Sequence, residues 1–458
     1  MKKPLRTDQE FVNVPNELRS GSRCKWVSLG KLSKKEEQMG WVGFGSVTVL
    51  ALTGALASGV THAQELDYWV YSDFAQGEAL KLQQTFIEEF TAKHPGLEIT
   101  ISGRGDDDLL TGQIAGASSG TGPDVFMNST SLGAILAQAG ALKNIYEDWM
   151  AMPEDFRAQF NPDLIKMCTP QPSVMYCLPY TGYGSFMYRN LTVLEEAGID
   201  PKQPITDWSD WKAQMGKIQA VGKKAVPDMS QSWLSLANIY SGVAAPDEWG
   251  IDFDNKKTRI APEKLAEATQ MLLDIKPYTS GTSEDDQVTK DLFTTNQLAF
   301  LVSGPWVDPI FEQAAKERGL KYDRVLVPGA QEGQYGGVKG FEFIAIAPKA
   351  NAKIAWEFAA YVAEKKQMTR WAAALGRFNS NDAALADPQV SSHSLLAITN
   401  EASKHAIFNR PPFFVKPYPS DYWSVLLDGV ADIVEGDETP QDGAKRIVDE
   451  LNELVADE

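Results

Sequence analysis

Cysteine and histidine are scarce in this chain, with three cysteines and four histidines in 458 residues. Protein zinc sites use several Cys or His residues at short spacing, and hydrolase triads need a histidine. The two neighbouring cysteines, Cys168 and Cys177, have no second cysteine pair or histidine cluster to complete a metal site. The sequence therefore predicts no metal site, no cofactor and no catalytic residue.

Positive charge is also in short supply. The chain has 43 Lys and Arg against 61 Asp and Glu, a net charge of −18. When the nine basic and five acidic residues of positions 1–63 are set aside, 34 basic residues face 56 acidic ones, a net charge of −22. Such a field repels phosphate backbones and anionic membrane surfaces, so nucleic acid is excluded as a partner.

The uncharged run Trp41–Val60 lies between a basic leader and the small residues Thr61-His62-Ala63. This order is typical of a cleavable secretory signal over residues 1–63, with a long leader or a later start at Met39. A membrane anchor is the alternative, because about 20 apolar residues can span a bilayer. No cysteine stands directly after the run, which excludes a lipoprotein. We expect a mature chain that begins near Gln64 and lies in the periplasm.

The stretch Gly116-Ala117-Ser118-Ser119-Gly120 matches the Gly-x-Ser-x-Gly pattern of a hydrolase nucleophile. That pattern needs its serine on a turn from a strand into a helix. Here the helical segment "DDDLLTGQIAGA" comes first and the strand "DVFMN" follows, so Ser118 is not expected to be a nucleophile. The run Asp106–Asp108 fits a helix N-terminus better than a calcium loop.

From Leu66 the chain opens as strand, helix, strand. The segment "LDYWVYSDF" is rich in β-forming residues, and "LEITI" alternates strictly. Between them, apolar residues recur at helical spacing: Ala79, Leu82, Phe86, Ile87 and Phe90. This unit predicts an α/β fold with a parallel sheet covered by helices. The 395 residues after position 63 favour two α/β lobes over one.

Further segments follow in a characteristic order: "EEFTAKHPGLEITI", "GTGPDVF", "AGALKNI", "CLPYTGYGSFMYRN", "LAFLVSGPW", "GGVKGFEFIAIAPKANAKIAWEFAAYV" and "DGVADIVEGDETPQDGAKRIVDEL". In this order they resemble the extracellular solute-binding proteins of the maltose-binding type, which serve ATP-driven importers. The resemblance covers nearly all of the chain after residue 63. It implies a type II periplasmic binding protein fold, whose two lobes close on a ligand about hinge crossings. Residues 64–182 and 328–376 would form lobe 1, and residues 183–327 and 377–458 lobe 2.

The resemblance implies a monomer without enzymatic activity that captures a mono- or oligosaccharide and delivers it to inner-membrane permease subunits. A polyol, glycerol phosphate or a sulfonated sugar is the alternative ligand, because related proteins bind these. An exported glycoside hydrolase stays open as a second class, since 56 carboxylates can include a catalytic pair.

The same resemblance places the ligand contacts at strand ends and at a late aromatic pair. The residues are Ser72, Asp73, Phe74, Asn128, Tyr183, Trp233, Trp306, Gly337, Phe341, Arg377, Tyr422 and Trp423. A sugar presents apolar C–H faces and a rim of hydroxyls, which suits aromatic platforms and directed polar groups.

Each assignment has an alternative. The tryptophans can belong to the core, Asp73 can cap a helix, and Asn128 can be structural. Arg377 stands where relatives more often carry proline. Lys339 and Arg377 form either an anion site or ordinary solvated surface.

Cys168 and Cys177 enclose "TPQPSVMY", whose two prolines suit a turn. In an oxidising compartment we expect a disulfide across this hairpin, worth up to about 3 kcal/mol for a short loop. Two free thiols are the alternative.

Overall fold

The structure, a computed structural model, describes residues 64–230, 232–349, 351–408 and 414–457. The predicted signal segment, residues 1–63, lies outside the described residues. The described strands are β1 Gln64–Tyr71, β2 Leu97–Arg104, β3 Val125–Ser129, β4 Leu178–Gly184, β5 Phe186–Asn190, β6 Ile251–Asp252, β7 Lys257–Thr258, β8 Phe300–Ser303, β9 Tyr322–Val325, β10 Val327–Pro328, β11 Tyr335–Gly336, β12 Val338–Ile346, β13 Phe378–Asn379 and β14 Ile407–Phe408.

The described helices are α1 Gly77–Thr91, α2 Asp106–Ser119, α3 Gly133–Gln138, α4 Tyr146–Met150, α5 Glu154–Arg157, α6 Pro162–Cys168, α7 Leu191–Glu196, α8 Trp208–Ala220, α9 Trp233–Tyr240, α10 Pro262–Ile275, α11 Gln287–Thr294, α12 Asp308–Arg318, α13 Ala352–Ala363, α14 Lys365–Leu375, α15 Asp382–Leu385, α16 Pro388–Ser391, α17 Ser394–His405, α18 Tyr422–Glu435 and α19 Pro440–Ala456. Short 3-10 helices occupy Ser72–Ala75, Thr130–Leu132, Lys276–Tyr278 and Pro305–Val307.

The larger sheet has seven strands in the order β13-β4-β12-β3-β1-β2, with β14 paired to β12. Strand β1 runs parallel to β2 and β3, whereas β12 runs antiparallel to β3 and β4. The predicted opening unit is confirmed, because α1 connects β1 to β2 and buries Ala79, Phe86 and Phe90. Its apolar face packs with α13 over the sheet and forms the first core, which includes Tyr68 and Phe343.

Burial along each strand follows its place in this sheet. β1 alternates, with Leu66, Tyr68 and Val70 buried and the charged Glu65 and Asp67 exposed. β3 and β12 lie in the middle of the sheet and are buried along nearly their whole length. Central strands covered on both faces carry continuous apolar sequences, so a charged residue within β12 stands out.

The smaller sheet has three antiparallel strands in the order β8-β5-β9. Helices α8, α10, α18 and α19 bury a second core that includes Trp211, Leu272 and Ile447. Helix α19 begins at Pro440 as the sequence predicts, because the Thr439 hydroxyl accepts the Asp442 N–H and proline suits the first helical position.

Of the four hydrophobic cores formed by the described residues, the two largest lie one at each sheet and mark the two α/β lobes. The chain passes from the larger to the smaller sheet at Ser185, between β4 and β5, and returns between β9 and β12.

The boundary expected at residue 376 does not coincide with a passage between the sheets. β13, Phe378–Asn379, still pairs with β4, and Ala384 and Phe414 belong to the first core. This pairing joins residues about 200 positions apart, so no local sequence pattern marks it.

Ser118 lies in the last turn of α2, which is followed by Gly120 in the left-handed conformation and then by β3. The order helix, loop, strand is the one that the sequence predicts, and it is the reverse of a nucleophile elbow. Asp106, Asp107 and Asp108 form the first turn of this helix, as expected. None of the helices in the described ranges has the length and apolarity needed to cross a bilayer.

Candidate functional site

The segment after β1 forms one wall of the candidate site. Ser72–Ala75 is a 3-10 helix in which Phe74 is buried and stacks on Trp371, with ring centroids 5.3 Å apart. The Asp73 carboxylate accepts from the Arg377 guanidinium at 2.5 Å, and that guanidinium lies 4.3 Å above the Phe74 ring. Asp73 is therefore an ion-pair partner and caps neither this turn nor α1.

Arg377 is held by these contacts rather than solvated. Its side chain is 11% exposed, between Asp73 and Phe74. Lys339 also has partners, since its ammonium donates to the Ser403 carbonyl and lies 4.6 Å from the centre of the Phe408 ring. The two cations therefore belong to separate contacts and do not form a joint anion site.

Asn128, at the end of β3, is fully buried. Its amide nitrogen donates to Gln113 at 2.6 Å, and its amide oxygen accepts from the Tyr71 hydroxyl at 2.8 Å and from the Ser129 N–H. These bonds use the side chain inside lobe 1. The structure thus gives Asn128 a positioning role behind Tyr71 and Ser129, where the sequence suggested ligand contact.

Glu342 is a member of this wall that sequence reasoning missed. It lies on β12 opposite Ser129 of β3 and Thr181 of β4, and only 8% of it is exposed. Its Oε2 atom has no hydrogen-bond partner among the described residues. Burial raises the pKa of this carboxyl to about 7, against the opposing charge of Arg377 and with a smaller contribution from Asp73. The available signal was a glutamate inside the apolar strand "GFEFIAIA".

Asp106 and Asp285 come from different lobes, and the charge of Asp285 acts on Asp106. Both are exposed to water, yet desolvation is the main cause that raises the pKa of each. The charges of Asp73 and Asp285 raise the pKa of Asp106 further. The charges of Asp106, at the start of α2, and Asp285, just before α11, therefore interact across the lobes, and neither residue was predicted as a site residue.

Trp306 lies on the wall formed by lobe 2. It follows β8 in the 3-10 helix Pro305–Val307, is partly buried, and meets the Tyr183 ring edge-to-face at 5.3 Å. Tyr183 is the penultimate residue of β4 in the larger sheet, so this contact joins the two sheets at the first crossing. Gly304 leaves room for the Trp306 ring in this position, because a Cβ on residue 304 would lie 1.9 Å from that ring.

Trp233 begins α9, is partly buried and packs against the second core. The preceding Ser232 caps the helix and donates to Glu284, which is fully buried. Burial and the neighbouring charge of Asp285 raise the pKa of Glu284 to about 7. Trp233 therefore directly follows the residue that contacts this buried carboxyl.

The late aromatic pair divides between core and surface. Tyr422 is fully buried, with its hydroxyl 2.7 Å from the Thr258 hydroxyl, so the structure makes it a core residue. Trp423 is partly buried and stacks on Tyr418 with centroids 5.4 Å apart and an interplanar angle of 18°. Of the two, only Trp423 has a face at the surface.

Phe341 and Gly337 are also buried. Phe341 packs edge-on against Phe378 at 5.5 Å, and the Gly337 N–H donates to the Ser241 hydroxyl at 2.7 Å. These interior contacts help to hold β12 in place.

Cys168 and Cys177 are free thiols in the structure, so the expected disulfide is not formed there. Both are buried and interact, since burial and then the neighbouring Cys168 raise the pKa of the Cys177 thiol. The Tyr176 N–H donates to the Cys168 carbonyl at 3.0 Å, which holds the two ends of the hairpin together.

The described part of the chain contains no group of three or more His, Cys, Asp or Glu residues arranged to hold a metal ion. Two surface depressions of about 590 and 410 Å³ contain none of the predicted site residues. The cleft between the lobes is therefore identified by its converging side chains and not by a closed cavity.

A family model described as bacterial extracellular solute-binding protein matches residues 85–398, well over half of the chain. The chain belongs to this family. Among solved structures, it is similar to the GacH receptor of Streptomyces glaucescens, solved unliganded and with acarbose, at a TM-score of 0.73 and 16% identity over 86% of this chain and 99% of that one. An ABC transporter solute-binding protein of Thermotoga lettingae bound with α-D-tagatose gives a TM-score of 0.70 and 19% identity over 86% and 100%. The two-lobed α/β architecture of these proteins is the fold of this chain.

The curated relatives match a smaller share of this chain and of their own length than the solved structures do. The sn-glycerol-3-phosphate-binding periplasmic protein of Escherichia coli O1:K1 is 24% identical over 42% of this chain and 44% of its own length. A putative binding protein of Brucella abortus is 24% identical over 54% and 59%. The matched region thus spans about half the length of these relatives.

Proposed function

We propose that the protein is the solute-binding component of an ATP-driven importer, which captures a carbohydrate between its lobes and delivers it to membrane permease subunits. The observation that carries the proposal is the convergence of polar and aromatic groups from both lobes on one cleft. Arg377, Asp73 and Glu342 stand on the lobe 1 side, and Trp306 with Tyr183 stands at the crossing. Polar groups for hydroxyls beside aromatic faces for C–H surfaces are the combination that sugars require.

The family and the solved structures support the proposal. The solved relatives include a maltotriose-binding protein of Thermus thermophilus, with a TM-score of 0.70 and 16% identity over 85% of this chain and all of that one. The curated glycerol-phosphate-binding relative favours the alternative of a phosphorylated polyol. Binding without chemistry, export to the periplasm and a monomeric state are parts of the same proposal.

A thermal-shift screen of the exported protein over mono- and oligosaccharides, polyols and phosphate esters tests the proposal. We expect a carbohydrate to raise the melting temperature, since binding to the folded state stabilises it by mass action. Incubation with the same sugars and with aryl glycosides should give no turnover. Release of product would place the protein among the hydrolases, and a shift with glycerol 3-phosphate alone would favour the alternative ligand.

A further inference from the structure

Strand β12 places Glu342 on the same face of the larger sheet as Tyr183. In the antiparallel pairing of β12 with β4, Gly340 stands opposite Tyr183, and Glu342 stands opposite Thr181. Because opposite residues and residues two positions apart share one face of a sheet, these side chains point to the same side. The Tyr183 phenol covers Gly340, since a Cβ on Gly340 would lie 2.5 Å from the phenol oxygen. Glu342 is therefore the next side chain on β12 beside this phenol.

This face of the sheet is the one that lobe 2 approaches. Tyr183 meets Trp306 of lobe 2 edge-to-face, with ring centroids 5.3 Å apart. On the other side of β12, Glu342 pairs with Ser129 of β3, whose N–H donates to the Tyr71 hydroxyl at 2.8 Å. Glu342 therefore lies between the strand positions of two phenols and next to the aromatic contact that joins the lobes.

The Glu342 carboxyl lacks the hydrogen bonds that its burial requires. Only 8% of the residue is exposed, and its Oε2 atom has no hydrogen-bond partner within the described ranges. An ionised carboxylate accepts several hydrogen bonds, and buried polar atoms nearly always have a partner. Arg377 supplies none at Oε2, since its guanidinium donates to Asp73 at 2.5 Å and acts on Glu342 through its charge. A bound solute can supply the missing donor.

Few charges act on this carboxyl. The charged residues that act on it, or that lie on β12 and on the strands and helices packed against it, are Arg377, Asp73, Asp106, Lys339, Lys353 and Glu357. Lys353 and Glu357 pair with each other at 3.9 Å, and Lys339 donates to a backbone carbonyl of α17.

The carboxyl exchanges its proton near neutral pH. Burial has a larger effect than the charges of Arg377, Asp73 and Asp106, and it raises the pKa of Glu342 to about 7. Burial also raises the pKa of the Tyr71 hydroxyl well above its usual value, so that phenol keeps its proton in this range. A change in the surroundings of Oε2 therefore changes the protonation of Glu342.

We propose that the Glu342 carboxylate accepts a hydrogen bond from a hydroxyl of a neutral sugar or polyol, and that this carboxyl gives up its proton to the solvent when the solute binds. A hydrogen bond to an ionised acceptor is shorter and stronger than one to a neutral carboxyl, so a hydroxyl at Oε2 favours the ionised form. Affinity then rises with pH. This inference rests on the proposed function and identifies the residue that recognises a hydroxyl group.

The test measures affinity and proton release with neutral probes, because their own charge does not change with pH. D-Glucose, D-tagatose, maltose, maltotriose and glycerol are titrated into the protein by calorimetry, and the probe that binds most tightly is used. Its affinity should be about tenfold higher at pH 8 than at pH 6, since the ionised fraction of a group with a pKa of about 7 changes by that factor. At pH 7, the heats in PIPES and imidazole buffers should show about half a proton released per bound solute.

Glu342→Gln keeps the shape of the side chain and removes its ionisation. We expect this variant to bind equally at both pH values, with the affinity of the wild type at pH 6, and to release no proton. The matched control is Glu364→Gln, at a partly buried glutamate whose pKa is also raised by burial. Glu364 lines a surface depression that contains none of the predicted site residues, so this variant should behave as the wild type does.

The outcomes distinguish this inference from the proposed function. If a neutral probe binds the wild type equally at both pH values and without proton release, the inference is wrong while the binding function stands, and this result does not depend on any variant. If Glu342→Gln releases as much proton as the wild type, or if Glu364→Gln also abolishes the release, the assignment to Glu342 is wrong.

The remaining outcomes concern the solute. If glycerol 3-phosphate binds and no neutral probe does, the inference is wrong and the proposed function keeps only its alternative ligand. If none of these compounds binds, both the inference and the proposed function fail.

Discussion

At Trp306, the effect of a substitution on ligand affinity can be distinguished from its effect on the stability of the fold. It is partly buried, stands edge-on to Tyr183 and adjoins both the second core and the cluster around Phe311. We expect Trp306→Ala to weaken binding of the solute found in the screen about 30- to 1000-fold, because a desolvated aromatic anchor contributes about 2–4 kcal/mol. Calorimetric titration measures this loss.

The melting temperature of ligand-free Trp306→Ala is measured as well and is compared with that of a core variant at Trp356. Trp356 on α13 is a buried tryptophan of the first core, so Trp356→Ala should lower the melting temperature with little change in affinity. If Trp306→Ala binds within threefold of the wild type but unfolds at a much lower temperature, Trp306 is a core residue.

Glu342 makes stability depend on pH. Burial raises its pKa to about 7, whereas an unfolded chain holds it near 4.5, and Arg377, Asp73 and Asp106 are the charges that face it. The folded protein therefore binds its proton more strongly, and the stability present below about pH 4.5 is lost as the pH rises to about 7. We expect Glu342→Gln to be more stable than the wild type at pH 8 by up to about 3 kcal/mol, and nearly equal to it at pH 4.5.

Urea unfolding of both proteins at pH 4.5 and pH 8 checks this expectation. The buried Glu284, whose pKa is also raised to about 7, is present in both proteins and cancels in the comparison. If Glu342→Gln and the wild type differ in stability by the same amount at both pH values, the difference comes from the packing of residue 342 and not from its ionisation.

At the scale of single elements, the turn from β8 into Pro305–Val307 positions Trp306. A Cβ on Gly304 would lie 1.9 Å from the indole, so Gly304→Ala must displace that ring. We expect at least a tenfold loss of affinity with a smaller loss of stability, measured by calorimetry and thermal unfolding, since a displaced anchor loses much of its contribution. The control is Gly216→Ala in α8, where a Cβ meets nothing within 4 Å and should stabilise the helix by about 0.5–1 kcal/mol. An affinity unchanged by Gly304→Ala would show that the turn does not place the ligand contact.

The hairpin after α6 is the second element with a measurable consequence. Cys168 and Cys177 are buried, interacting thiols, and their oxidation would close a short loop. We predict that the exported protein contains this disulfide, so thiol titration after denaturation without reductant should find no free thiol. Loss of the bond in Cys177→Ser should cost up to about 3 kcal/mol. Two reactive thiols in the exported protein would leave the hairpin held by its backbone hydrogen bond alone.

At the scale of the whole molecule, export determines the compartment in which the protein meets its solute. The uncharged run Trp41–Val60 and its small-residue exit predict cleavage near Gln64, where β1 begins. Mass spectrometry of the protein from the periplasmic fraction should therefore find a chain that starts close to Gln64. An exported form that retains residues 41–60 would favour the membrane anchor.

The sequence by itself determined the elements whose causes are local. The α1 face, the helix start at Thr439-Pro440 and the helix–loop–strand order around Ser118 follow from periodicity, capping and turn residues, and the structure confirms each of them. The family was also evident from the order of motifs, because that order extends over most of the chain.

Only the tertiary structure decided which side chains share the cleft. The charge of Asp285 in lobe 2 acts on Asp106 in lobe 1, and Arg377 reaches Asp73 across about 300 residues of chain. The tertiary structure also buries Asn128 and Tyr422 in the interior. It pairs β13, which lies beyond residue 376, with the larger sheet. Long-range pairing and burial depend on how sheets and lobes pack together, and nearest-neighbour patterns in a sequence do not specify that packing.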